Sequence, residues 1–64
     1  MKVNGSPVTA EDGITVSALL AQQGYPAARI AVEVNGSIVP KAQFDTFALH
    51  EADTVEIVCF MGGG

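Results

Sequence analysis

Two Asn-Gly dipeptides, at residues 4–5 and 35–36, constrain this chain most. Each sits between short apolar stretches, and both positions of the pair tolerate the positive φ that a two-residue hairpin turn demands. Before the first turn, Met1-Lys2-Val3 alternates as a strand with Met1 and Val3 inward. Ser6-Pro7 follow the turn, and Val8-Thr9-Ala10 reads as the return strand. Pro7 cannot donate to a ladder, so this strand belongs on a sheet edge. Around the second turn, Ile30 to Val34 alternates with Ile30, Val32 and Val34 on one face, and Ser37-Ile38-Val39 returns until Pro40 ends it.

Between the hairpins, Ile14 to Gly24 reads as one helix. Thr15 is suited to the N-cap. Ile14 and Leu19 hold the two positions of a hydrophobic staple. Val16, Leu19, Leu20 and Gln23 share a face, the first three apolar. Gly24 fits the left-handed stop, and Pro26 prevents continuation. So short a helix is marginal alone and needs a sheet under its apolar stripe.

Lys41 to Leu49 shows no clear period; a helical turn is expected near Lys41-Ala42-Gln43, with Phe44, Phe47 and Leu49 as apolar anchors. Glu51-Ala52-Asp53 is a turn. Thr54 to Phe60 is the last and most apolar strand, expected at the centre of the sheet. Val55, Ile57 and Cys59 should share its inner face, and Glu56, Val58 and Phe60 the other. The order β-β-α-β-β-β gives an α+β roll: a mixed sheet of four to five strands with one main helix packed on one face. The crossover through the helix allows the first and last strands to pair in parallel.

A chain of 64 residues has room for one domain, residues 1–64, and one small core. The single Cys59 cannot form an internal disulfide, and no Cys/His cluster offers metal spacing. At an inward strand position, Cys59 reads as a small buried hydrophobe. The net charge is −4, with only Lys2, Arg29 and Lys41 basic and scattered, which argues against nucleic-acid binding; the acidity suits a partner with a basic docking face or simply keeps a small protein soluble, and charge alone does not choose between them. No apolar stretch is long enough to span a bilayer. A free cysteine, and Met1 running directly into Lys2-Val3-Asn4, favour the cytoplasm. Ser6, Ser17 and Ser37 have only His50 in the whole chain to activate them, so no nucleophile–base pair stands out.

Gly62, Gly63 and Gly64 follow the apolar run Val55–Met61. Glycines pay the largest ordering entropy and pack nothing, so they serve the fold poorly. They suit a thin, flexible tail over residues 61–64, which can enter a tunnel closed to any Cβ. Extended, those residues reach at most ~13–14 Å. From the tail alone, this reading and that of a frayed terminus stand level. Val58 and Phe60, with Met61, either form a docking patch beside the tail or lie buried under the 41–49 segment.

The whole chain resembles the ThiS group of ubiquitin-like sulfur carriers, with the molybdopterin-synthase small subunits as longer relatives. The resemblance rests on Gly13-Ile14-Thr15-Val16 with Leu19-Leu20, Val32-Glu33-Val34-Asn35-Gly36, Ile38-Val39-Pro40-Lys41, Asp53-Thr54-Val55-Glu56-Ile57-Val58 and Gly63-Gly64. Phe44 stands where the family often has tryptophan, and Cys59 and Phe60 are less usual there. The resemblance implies a β-grasp fold and a carrier acted on by partner enzymes, itself no enzyme. A ubiquitin-activating-type adenylyltransferase (ThiF-like) would use ATP to adenylate the Gly64 carboxylate. A cysteine desulfurase or rhodanese-like donor would supply persulfide sulfur. The resulting thiocarboxylate would pass to thiazole synthase (ThiG-like) in thiamine biosynthesis. No cofactor would be bound by the carrier itself. Carriers for molybdopterin, cysteine or siderophore pathways, and a modifier forming isopeptide bonds through Gly64, are the alternatives.

Overall fold

The computed structural model describes residues 1–60; Met61 to Gly64, the tail of the sequence reading, lie outside the described residues. Strands β1 (Lys2–Val3) and β2 (Ser6–Pro7) precede helix α1 (Val16–Gln23), then come β3 (Ile30–Val34), β4 (Ser37–Val39) and β5 (Thr54–Cys59). Short 3-10 turns at Ala27–Arg29 and Lys41–Gln43 complete the order. The five strands form one sheet, β2-β1-β5-β3-β4, with β5 central. β1 and β5 run parallel, and every other pair is antiparallel.

Both Asn-Gly pairs make the expected turns, with φ of 51° and 82° at Asn4 and Gly5, and 50° and 84° at Asn35 and Gly36. Such a turn lets pairing resume at once, which corrects the first return strand. It is Ser6–Pro7, with Val3 opposite Ser6 and Lys2 opposite Pro7, and not Val8–Ala10. The Val8 amide then donates to the Met1 carbonyl at 2.9 Å, and the ladder ends. Pro7 is tolerated because β2 is outermost.

The helix is two residues shorter at its start than Ile14, because Thr15 is its cap. The Thr15 Oγ1 accepts the Ala18 amide at 3.2 Å. At the other end Gly24, at φ 79°, donates to the Ala21 carbonyl, and the Tyr25 amide donates to Leu20 at 2.9 Å. That pair of bonds is a Schellman closure, and Tyr25 packs on the core as its hydrophobic contact.

The 41–49 segment belongs to the helix side. Phe44 and Leu49 are buried, and Phe47 packs against the core. The carbonyls of Phe47 and Phe44 accept the Val16 and Ser17 amides at 3.0 and 2.9 Å, satisfying donors that the first helical turn cannot. Val16, Leu19 and Leu20 meet Ile30, Val32, Val34, Val55 and Ile57 in one apolar cluster with Val3, Val39, Phe44 and Leu49. Full burial of each such side chain contributes about 1.5–3 kcal/mol. The opposite face of the sheet lies outside this core, and it is there that the candidate site stands.

A candidate docking face at the end of the central strand

Alternation along β5 turns Val55 and Ile57 into the core and sends Thr54, Glu56 and Val58 outward. Val58 is 48% exposed and Phe60 59% exposed, so the 41–49 segment does not cover them. Phe60 still continues the β5–β3 pairing by one bond, its amide donating to the Arg29 carbonyl at 2.8 Å. Met61, Gly62, Gly63 and Gly64, the remaining residues of the expected site, lie outside the described residues.

Cys59 corrects the sequence reading: it is exposed, not a buried hydrophobe. Alternation assigns it to the inner row, opposite the buried Ile30. β1, however, spans only Lys2–Val3 and pairs with β5 no further than Val55, so Cys59 has β3 on one side and no strand on the other.

The register extends the outer face across three strands. Ala31 is opposite Val58, Glu33 is opposite Glu56, and Ile38 is opposite Glu33. Ile38 is 72% exposed, the most exposed large apolar residue described. Sequence reasoning missed it as a surface residue. The signal was present: a two-residue turn at Asn35-Gly36 fixes Ile38 opposite Glu33, on the outward row, while Val39 is buried.

Two asparagine side chains hold β5 in place. Asn4 Oδ1 accepts the Ile57 amide at 2.7 Å, and Asn4 Nδ2 donates to the Ile57 carbonyl at 3.2 Å. Asn35 Oδ1 accepts the Thr54 amide at 3.0 Å, and its Nδ2 donates to Asp53 Oδ1 at 2.9 Å. Asp53 also accepts the His50 amide at 2.8 Å. That backbone bond, opposed by desolvation and aided by Asn35 and the nearby charge of His50, holds the Asp53 carboxyl below its ordinary value of 3.8.

Among the described residues this face presents no nucleophile–base pair. Ser17 donates to Asp45 beside the helix start, and His50 faces Asp12 at 3.4 Å in the turn before β5, both away from the Val58–Phe60 end. Among the described residues no group of His, Cys, Asp and Glu could hold a metal ion, and no helix is long and apolar enough to cross a membrane. The arrangement offers an exposed apolar strand end leading into Met61 and three glycines.

The sequence model of the ThiS family matches residues 1–64. The crystal structure of a thiamine biosynthesis protein (ThiS) from Geobacter metallireducens has a TM-score of 0.82 at 35% identity, over 98% of this chain and 96% of that one. A solution structure of a thiamine biosynthesis protein from that organism gives 0.77 over 98% and 85%. Among curated relatives, a thiazole synthase of Paramagnetospirillum magneticum is 40% identical over 62 residues, which are 97% of this chain and 19% of that protein. A thiazole synthase of Magnetococcus marinus is 39% identical over the same shares, so the chain spans about a fifth of either enzyme's length. The uncharacterized protein ycf40 of Porphyra purpurea is 30% identical over 64 residues, 90% of its length. The match along the full sequence, on a five-stranded sheet carrying one helix as in the Geobacter structure, establishes that the chain belongs to the ThiS family.

Proposed function

We propose that this protein is a sulfur carrier in thiamine biosynthesis, with Gly64 as the group that carries the sulfur. The observation that supports this most is the family match over residues 1–64. The exposed Val58 and Phe60 leading into Gly62-Gly63-Gly64 agree with it.

A carboxylate is a poor acyl donor because its leaving group is oxide. Joining the Gly64 carboxylate to AMP, with loss of pyrophosphate from ATP, replaces that group with a good one. A ThiF-like adenylyltransferase of the ubiquitin-activating type performs this step. The outer sulfur of a persulfide on a cysteine desulfurase or rhodanese-like protein then attacks the adenylate and expels AMP, and a second thiol cleaves the resulting acyl disulfide, leaving a disulfide on the donor side and a C-terminal thiocarboxylate. Its polarisable sulfur is handed to thiazole synthase. The carrier is not itself an enzyme: its partners supply ATP, electrostatics and catalytic groups. Gly62 and Gly63 thread the partner's channel, where a Cβ would clash. Val58, Phe60 and Met61 dock the body against it. Two relatives that carry a segment like this chain are named thiazole synthase, which favours that enzyme as the acceptor over acceptors in other sulfur pathways.

The test is the intact mass of the protein, ending at Gly64, recovered from cells active in sulfur transfer. The expected species has one oxygen replaced by sulfur, localised to the C-terminal peptide. Sulfur found on Cys59 alone would overturn the proposal.

A further inference from the structure

Glu33 and Glu56 stand directly opposite each other on β3 and β5, on the face away from the helix. Side chains so placed have Cβ atoms about 4.5–5.5 Å apart, and like charges there oppose folding. Among the described residues neither glutamate forms an ion pair. The one ion pair among the described residues joins His50 to Asp12. Lys41 Nζ donates to the Ala28 carbonyl at 2.8 Å. Lys2 is nearest by register, beside Thr54 on β1, and it forms no ion pair with either glutamate. Apolar residues flank the carboxylates on the side of the strand end and of β4, where Val58 is the next outward residue on β5, Ala31 lies opposite it and Ile38 lies across from Glu33, while Thr54 and Lys2 lie on the other side.

Solubility alone does not call for two acids set against each other beside an apolar patch. We infer that Glu33 and Glu56 together receive one cationic side chain, an arginine in the best geometric fit, presented by thiazole synthase when it docks on this face. The inference rests on the proposed carrier function and adds the polar half of the recognition to Val58 and Phe60. A guanidinium carries five donors in a planar fork and can bridge two carboxylates at once. Charge complementarity selects the class of occupant. A second copy of this chain would bring four carboxylates together, and a nucleic acid or an anionic membrane would be repelled by a chain of net charge −4. The choice of enzyme follows from the relatives in which a 62-residue segment like this chain is part of a thiazole synthase.

The experiment is calorimetric titration of thiazole synthase from the same organism with wild type, Glu33→Gln, Glu56→Gln, the double variant and Val58→Ser, at low and high salt. The double variant is expected to bind at least about tenfold more weakly, with a flatter salt dependence, and to melt no lower than wild type. Val58→Ser is expected to weaken binding while leaving the salt dependence intact. If Val58→Ser weakens binding and the double variant does not, the inference fails while the docking reading stands. If neither weakens it, or wild type does not bind, both fail. A double variant that melts lower than wild type, or a wild-type dimer closed through this face, also overturns the inference.

Discussion

Removing the Asn4 side chain should be felt along the whole of β5. The Asn-Gly turn takes β1 away after Val3, and the Asn4 amide then stands in for the next strand residue. It makes both bonds that a neighbour would make to Ile57, at 2.7 and 3.2 Å. Asn4→Gly keeps the left-handed backbone, φ 51°, and deletes both bonds. At about 0.5–1.5 kcal/mol each, the loss is about 1–3 kcal/mol. Asn4→Ala deletes the same bonds but keeps a Cβ in the left-handed region without the local hydrogen bonding that makes asparagine tolerable there, about 1–2 kcal/mol worse than glycine. Each kcal/mol moves the midpoint of a domain this small by about 4–8 °C, so the glycine variant should melt roughly 4–24 °C lower and the alanine variant lower still. Thermal melts read the global effect, and amide exchange reads the local one. In Asn4→Gly the Ile57 amide should lose protection while Thr54, held by Asn35, keeps more of its own. Asn35→Gly should reverse that pattern. A glycine variant melting within about 2 °C of wild type, with Ile57 still protected, would refute the reasoning.

Three further outcomes are expected, the first two from the structure and the third from the proposed function. Leu19→Ala, at a residue 1% exposed, should cost about 2–5 kcal/mol and leave little cooperative unfolding by denaturant, whereas Ile38→Ser, at 72% exposure, should stay within about 0.5 kcal/mol of wild type. Asp53 has a folded-state pKa below its ordinary 3.8, so its stabilisation is fully present above that value and is lost as pH falls through the lower folded value. Stability measured against pH below about 4 should fall less steeply in Asp53→Asn than in wild type, and parallel curves would contradict the assignment. Residues appended after Gly64 should abolish sulfur transfer and leave the melting temperature nearly untouched; a loss of folding would show a structural role for those glycines.

Local chemistry made much of this fold legible in the sequence. The Asn-Gly turns, the Thr15 cap, the Gly24 stop and the alternation from Ile30 to Val34 each depend on a few neighbouring residues, and each stands where the sequence reading puts it. What escaped depends on where distant segments meet. Alternation assigns Cys59 a face but does not say how far β1 reaches along β5. The opposition of Glu33 to Glu56 requires the register between β3 and β5, which no local pattern encodes. Turn propensity explains why asparagine occupies positions 4 and 35, yet it is silent on which strand passes beside each side chain. The exposure of Val58 and Phe60 was open from the sequence because the 41–49 segment has no period. It is settled by that segment's carbonyls, which bind the start of the helix instead.

The same interactions explain why a carrier would place its docking residues on β5. This strand pairs with β3 from Val55 to Cys59 and with β1 up to Val55, is held at Thr54 and Ile57 by two asparagine side chains, and remains bonded through Phe60 to Arg29. Its outward residues therefore keep a fixed relation to the point where the described chain ends. From Phe60, the remaining residues 61–64 can reach at most ~13–14 Å. A partner that grips Val58, Ile38 and the two glutamates thus holds the Gly64 carboxylate within a short radius of its own reacting groups, which makes the encounter effectively intramolecular. An edge strand such as β4, paired on one side only, would give the same reach from a less firmly held origin. Rigidity in the central strand and thinness in the residues after it are complementary requirements, and Asn4 and Asn35 supply the first of them.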